Sequence, residues 1–247
     1  MDNFFELYDA ICAAMGDDAE DKRIIHAETG RCWSMVECED SLGMAMADSV
    51  MSRAAMFEHG FEGLSLKEAA AAIKSWNLNE ASKALAAANT YFNTSARIEA
   101  LNCSEPYENY STAGLSFDGA TVAAIGHLHL TEEIHRAAKD VYIIERAPKD
   151  GDYPDAACDY ILPRCDYVFI TGSAIINKTL PHLLSLCKNA YTILTGPSVP
   201  LCPALLDFGI DRLAGMAIAN RDAMREHISS GRGGNPYSMG QTFLLKK

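Results

Sequence analysis

The sequence predicts an α/β protein: a parallel, doubly wound sheet over residues 112–247, preceded by a smaller α+β domain over residues 1–111. Three observations predict it. The apolar runs "TVAAIG", "VYIIE", "YVFIT", "YTILT" and "RLAGMAI" recur roughly every 20 to 26 residues in the second half, separated by segments of helical pattern such as "LTEEIHRAAKD" and "TLPHLLSLCKN". Those runs lack polar alternation, as strands covered on both faces do. Around "NCSEPYENYSTAGLSFDG" periodicity gives way to polar, Gly and Pro residues, the composition of a crossover.

In chain order, "NFFELYDAICAAM" reads as a helix, and "KRIIHAETGRCWSMVECED" as two strands around a Thr-Gly turn, because apolar and polar residues alternate on both sides of Gly30. "GMAMA" supplies a third strand. Two helices then have readable starts: Ser65 with Glu68, and Asn77 with Glu80, each at capping-box spacing. In the second of them Ala81, Ala84, Leu85, Ala88 and Phe92 share one face, whose small residues allow close approach to a sheet. Five parallel strands account for the second half, and the Gly-rich tail "GRGGNPYSMGQTFLLKK" reads as a segment that orders only against a partner subunit or the site, which leaves a homo-oligomer open.

Composition bounds the function. The chain has 247 residues, 49% hydrophobic, enough for a substantial core. A formal net charge of −12, with Lys and Arg scattered, repels phosphate backbones and excludes nucleic acid as the expected partner. No run approaches the roughly 20 apolar residues that cross a bilayer, and the acidic start "MDNFFELYDAIC" is unlike a secretory signal. The expected setting is cytoplasmic, and the expected partner a small molecule. Eight cysteines occur without a Cys-x-x-Cys pair, so zinc-ribbon and thioredoxin spacings are absent and most read as free, buried thiols. Cys158, Cys165 and Cys202, near predicted strand ends or loops, are the cysteines placed where a soft metal could bind.

Two stretches repeat a pattern: "YVFITGSAIINKTL" and "YTILTGPSVPLCPALL" each end an apolar run with Thr-Gly-(Ser/Pro) and then lead towards a helix. In open parallel sheets, ligands bind beyond the carboxyl ends of strands, where backbone N–H groups are free. Gly172 and Gly196 permit sharp turns or close approach, and Ser173, Asn177, Thr179 and Ser198 can cap helices or contact a ligand. Both readings, a site and ordinary turn chemistry, are open from the residues alone.

The first strand of the second half ends at Gly126 without the rest of a G-x-G-x-x-G grip. Glu145, 19 positions later, stands where such folds hold a ribose hydroxyl, so a nucleotide or S-adenosylmethionine enzyme is the alternative, with His127 or Glu145 near the chemistry. His127 and His129, two apart and followed by His135, can share a metal on extended backbone, or stand as helix-entry histidines near a pocket. Neither G-x-S-x-G nor G-x-x-x-x-G-K-[ST] occurs, which leaves serine hydrolysis and P-loop phosphoryl transfer unsupported.

"CDYVFITGSAIINKTLPHLL" followed by "AYTILTGPSVPLCPALLDFGIDRLAGMAI" resembles the bacterial and archaeal family described as putative heavy-metal chelation proteins, and "GMAMA", "LSLKEAA" and "ALAAANTYFN" resemble the smaller domain that accompanies it. The resemblance implies an enolase N-terminal-like domain packed on a Rossmann-like one, a pocket between them, and a role with a metal or a metal chelator. It carries site roles to Thr171, Gly172, Ser173, Asn177, Thr179, Gly196, Pro197 and Ser198, with Asn89 from the small domain; here Asn89 is followed by Thr90 where many members have alanine. Hydroxyls, amides and backbone N–H groups suit an anionic or heteroaromatic molecule better than a bare cation. The expected ligand is a chelator, a chelate or a pterin- or tetrapyrrole-like precursor that brings any metal with it.

Overall fold

The computed structural model describes residues 5–103, 111–128, 130–231 and 235–247. Helices α1 (Glu6–Ala13) and α2 (Asp18–Asp21) lead into an antiparallel meander of β1 (His26–Thr29), β2 (Trp33–Glu37) and β3 (Leu42–Met46), in the order β1-β2-β3. Ala27 faces Val36 and Met35 faces Met44 across it. Helix α3 (Leu66–Ala70) starts with the expected capping box, Ser65 Oγ accepting from Glu68 N at 3.1 Å and Glu68 accepting from Ser65 N at 2.8 Å.

Helix α4 (Leu78–Phe92) has only half of its box. Asn77 caps Glu80 N at 3.2 Å, but the Glu80 carboxylate turns to the N–H groups of Met56 and Phe57, both at 2.9 Å. A buried carboxylate needs donors, and the preceding loop supplies two. The predicted stripe on α4 is buried, yet so are Ala86, Ala87 and Tyr91, because the helix is covered on more than one side. On one side lies β3, where a Cβ at Gly43 would come within 2.2 Å of Thr90 N. At the C-terminal end, Asn93 donates to the carbonyls of Val199 (2.9 Å) and Met216 (3.1 Å) and accepts from Leu201 N (2.8 Å). Helix α5 (Ser95–Ala100) follows.

The large sheet contains β4 (Thr121–Ile125), β5 (Asp140–Glu145), β6 (Tyr153–Pro154), β7 (Tyr167–Thr171), β8 (Tyr191–Thr195), β9 (Arg212–Ile218) and β10 (Gly240–Lys246), in the order β10-β9-β8-β7-β4-β5-β6. All pairings are parallel except β10 on β9. Chain order runs outward from β4 to β6, then returns to β7 on the other side of β4, so the strand order reverses between β4 and β7. This is the Rossmann-like switch point, where a crevice opens beyond the strand ends. The connections carry α6 (Glu132–Ala137), α7 (Cys158–Ile161), α8 (Ser173–Ile176), α9 (Leu180–Leu186) and α10 (Arg221–Ser229).

The five predicted strands are present, and two were not foreseen. Strand β6 is two residues long and includes a proline. Strand β10 orders the end of the tail: residues 240–246 pair along all of β9 within the same chain, from Gly240 opposite Ile218 to Lys246 opposite Arg212, and Gly240, Gln241 and Thr242 lie at the strand-end crevice, as the reading against the site expected. Residues 104–110, in the predicted crossover, and 232–234, in the tail, lie outside the described residues. The small sheet is joined to the large one through a cluster of Trp33, Met35, Leu42 and Met44 with Met216, Met224 and Ile228. No helix among the described residues is long and apolar enough to cross a membrane.

Candidate functional site

A cleft of about 1120 Å³ opens at the carboxyl ends of β4, β5, β7 and β8. Its floor is made by the two Thr-Gly stretches, and the sheet explains their repetition. Thr171 and Thr195 are register partners at the ends of neighbouring parallel strands, and Gly172 N donates to Thr195 O at 3.0 Å. Gly172 itself is buried and does not line the cleft; a Cβ there would meet Ser198 C at 2.9 Å and Val199 N at 3.0 Å. Its role is to let one loop lie on the other. Gly196 differs: its φ of +119° is glycine territory, and nothing lies within 4 Å of where its Cβ would point.

Thr171, Ser173, Asn177, Thr179, Gly196, Pro197 and Ser198 all line the cleft. The Thr171 and Ser173 hydroxyls are 3.2 Å apart. Asn177 Oδ1 accepts from Thr179 N (3.1 Å) and Thr179 Oγ1 (2.7 Å), which leaves the Asn177 amide to donate elsewhere. Ser198 Oγ accepts from Met46 N at 2.8 Å, tying the second loop to the end of β3 and leaving one O–H to donate. Trp33 and Met46, register partners on β2 and β3, bring apolar surface from the small sheet into the same lining.

The other wall carries charge. Gly126 and His127 follow β4, and Glu145 ends β5. Gly126 has φ +102°, with a Cβ position 3.0 Å from the Thr171 methyl, so only glycine fits between them. Glu145 Oε1 accepts from His127 N (2.7 Å) and pairs with His127 Nδ1 (2.8 Å), while Oε2 accepts from Arg146 N (3.1 Å). His127 Nε2 lies 2.8 Å from Asp152 Oδ2. His127 thus ties the end of β4 to the end of β5 and to the turn that follows. Glu145, expected to meet a ribose hydroxyl, is engaged within the protein.

Asn89 departs from expectation. It is buried inside the first half, its Nδ2 donates to Met44 O at 2.7 Å, its Oδ1 has no partner, and it does not line the cleft. It serves the contact between α4 and β3. His129 lies outside the described residues. The described residues contain no group of three or more His, Cys, Asp or Glu placed to hold a metal ion. Of the three candidate cysteines, Cys158 lines the cleft and Cys165 and Cys202 do not. Burial, then Asp155 and Asp159, pushes the Cys158 thiol up to about 11, burial and Asp166 bring Cys165 to about 11, and burial brings Cys202 to about 11. Residues that sequence reasoning missed include Trp33, Arg146, Asp155, Asp159, His182 and Tyr237, all lining the cleft. They come from a strand (Trp33), a strand end (Arg146) and short helices (Asp155, Asp159, His182 and Tyr237) that meet only in the folded chain, and no local pattern marks them.

Fold and site together define the class: a Rossmann-like α/β protein whose strand-end cleft, at the switch point, is completed by a small antiparallel sheet. Two family models, both described as "Putative heavy-metal chelation", match residues 114–243 and 12–92. The chain belongs to this family, which ties it to metal handling at that coarse level. A crystal structure of a protein of unknown function from Desulfitobacterium hafniense is 32% identical, covers 99% of this chain and 98% of its own, and superposes with a TM-score of 0.88. A second, from Pyrococcus horikoshii, is 22% identical with a TM-score of 0.78, covers 98% of this chain and 100% of its own, and shows the shared fold. An uncharacterized protein of Methanocaldococcus jannaschii is 34% identical over 113 residues, 44% of this chain; the chain thus spans less than half of that relative, 42% of its length.

Proposed function

We propose that the protein binds a small metal-chelating molecule, or its metal chelate, in the cleft between the units formed by residues 1–111 and 112–247. One observation carries the reading: the cleft floor is built of hydroxyls, an amide and glycine backbone, with no metal-ligating cluster among the described residues. Such a floor hydrogen-bonds to an organic ligand, while the carboxylates Glu145 and Asp159 of the lining are engaged by His127 and His182 and assemble no ligand set for a bare cation among the described residues. The lining also includes Trp33, Met46, Phe169 and Tyr237, which suits a planar, pterin- or tetrapyrrole-like body. The metal is then carried by the ligand, and the chain's own groups orient the organic frame.

The alternative, an enzyme using a nucleotide or S-adenosylmethionine, is favoured by the location at the switch point. It requires Glu145 to exchange His127 and Arg146 N for a ribose. Equilibrium dialysis separates bare-metal from chelate binding. Zinc ion offered alone should not be retained, whereas the same ion offered as a phenanthroline complex should be retained and lost on double substitution of Ser173 and Asn177 by alanine. Retention of zinc ion alone, unaffected by that substitution, contradicts the proposal.

A further inference from the structure

The charges around the cleft are paired with two exceptions. His127 sits between Glu145 and Asp152, 2.8 Å from each. His182 Nε2 lies 3.3 Å from Asp159 Oδ1. What remains is Arg146, the sole Lys or Arg of the lining among the described residues, and Asp155. Both are exposed, and among the described residues neither forms an ion pair. They are also neighbours. Strands β5 and β6 run parallel with Glu145 opposite Pro154, and Arg146 and Asp155 directly follow that last pair, one beyond each strand end.

We infer that this rim binds an amino-carboxylate, Arg146 taking the carboxylate and Asp155 the ammonium. The inference rests on the reading of the cleft as a small-molecule site and names the chemical class of the ligand. A simple anion meets Arg146 but also Asp155, and a simple cation meets the reverse. A group carrying both charges one carbon apart satisfies both at once, and the planar guanidinium fork matches a carboxylate edge. The His127 bridge already engages Glu145 and Asp152, so those two carboxylates are held by the imidazole and not by Arg146. Amine and carboxylate on one carbon also form the elementary bidentate chelating unit. Metal coordination displaces the ammonium proton, so the rim takes a metal-free ligand or the end of a larger chelator that the metal leaves uncoordinated.

Three related probes test this: L-histidine, histamine, which lacks the carboxylate, and imidazolelactate, which lacks the amine. Binding is read by calorimetry and by the fluorescence of the cleft residue Trp33 in a Trp76→Phe background. L-histidine should bind about tenfold or more tightly than either analogue, the scale of a lost charge-assisted hydrogen bond. Arg146→Gln should weaken L-histidine and imidazolelactate but not histamine; Asp155→Asn should weaken L-histidine and histamine but not imidazolelactate. Both side chains are exposed, so folding survives, as circular dichroism will confirm, and Arg146→Lys, which keeps the charge, should restore part of the affinity. Equal binding of all three probes, or indifference to both substitutions, overturns the amino-carboxylate assignment while leaving the cleft reading intact. Failure of all three to bind also overturns it, and the cleft reading then stands on the dialysis result alone.

Discussion

Replacing Gly172 by alanine isolates the contact that brings the two Thr-Gly loops together. The backbone at Gly172 has φ −57° and ψ −20°, a conformation any residue adopts, so alanine adds no backbone strain. Its effect is steric. The new Cβ would meet Ser198 C at 2.9 Å, Val199 Cγ2 at 2.9 Å and Val199 N at 3.0 Å, against about 3.4 Å for ordinary contact, so the second loop must retreat by about half an ångström. Two of the three atoms are backbone, and a rotamer change cannot relieve them. The retreating segment includes Ser198, whose Oγ accepts from Met46 N at 2.8 Å, so the same movement strains the link to β3. Overpacking of this kind costs about 1–3 kcal/mol. At about 2–4 °C per kcal/mol for a chain of this size, the melting temperature should fall by about 2–12 °C in scanning calorimetry. Gly196→Ala is the control, because there the cost is φ +119° without a clash. A Gly172→Ala protein that melts with the wild type refutes the argument that this glycine exists for loop-on-loop packing.

Further outcomes follow from the same geometry. Ser173→Ala together with Asn177→Ala should reduce ligand retention about tenfold or more, while the loss of the two bonds from Thr179 to Asn177 Oδ1 costs only about 1–2 kcal/mol of stability. Ser65→Ala removes a complete capping box and should cost about 1 kcal/mol of stability without changing ligand retention, as read from chemical denaturation. The buried thiols predict an alkaline limit. Cys38, Cys158, Cys165 and Cys202 are each pushed from 9.0 up to about 11 in the folded state, so their contribution to stability is complete below pH 9 and is lost as pH rises through 11. Melting temperature measured against pH should fall over that window, and a disulfide reagent at pH 8 should label these thiols far more slowly than in the unfolded chain.

The parallel strands were legible because each is a short run without polar alternation, and only a sheet covered on both faces makes that pattern stable. Strand β10 was not, because a segment entered through glycines carries no periodicity that says it will find β9. The capping motif at Asn77 was half legible: the spacing marks the helix start, but the use of Glu80 by Met56 and Phe57 is set by a loop some two dozen residues upstream. In the cleft, the Thr-Gly residues were visible as a repeat within the sequence. Arg146 and Asp155 were not, since they reach one rim only because β5 and β6 end side by side just before them, and a two-residue strand containing Pro154 leaves no trace in a hydropathy pattern. Asn89 is a different case: its motif position reads as a ligand contact, and in the fold its Nδ2 holds Met44 O, its Oδ1 has no partner among the described residues, and it stands outside the cleft lining.

The measurement that tests the central claim most directly is the native mass of protein purified without oxygen, set against its mass after denaturation. The account predicts a noncovalent organic adduct, with or without a metal isotope pattern, that disappears on denaturation and is depleted when Ser173 and Asn177 are alanine. A bare metal ion retained with no organic mass, or an adduct equally abundant in the double variant, contradicts it.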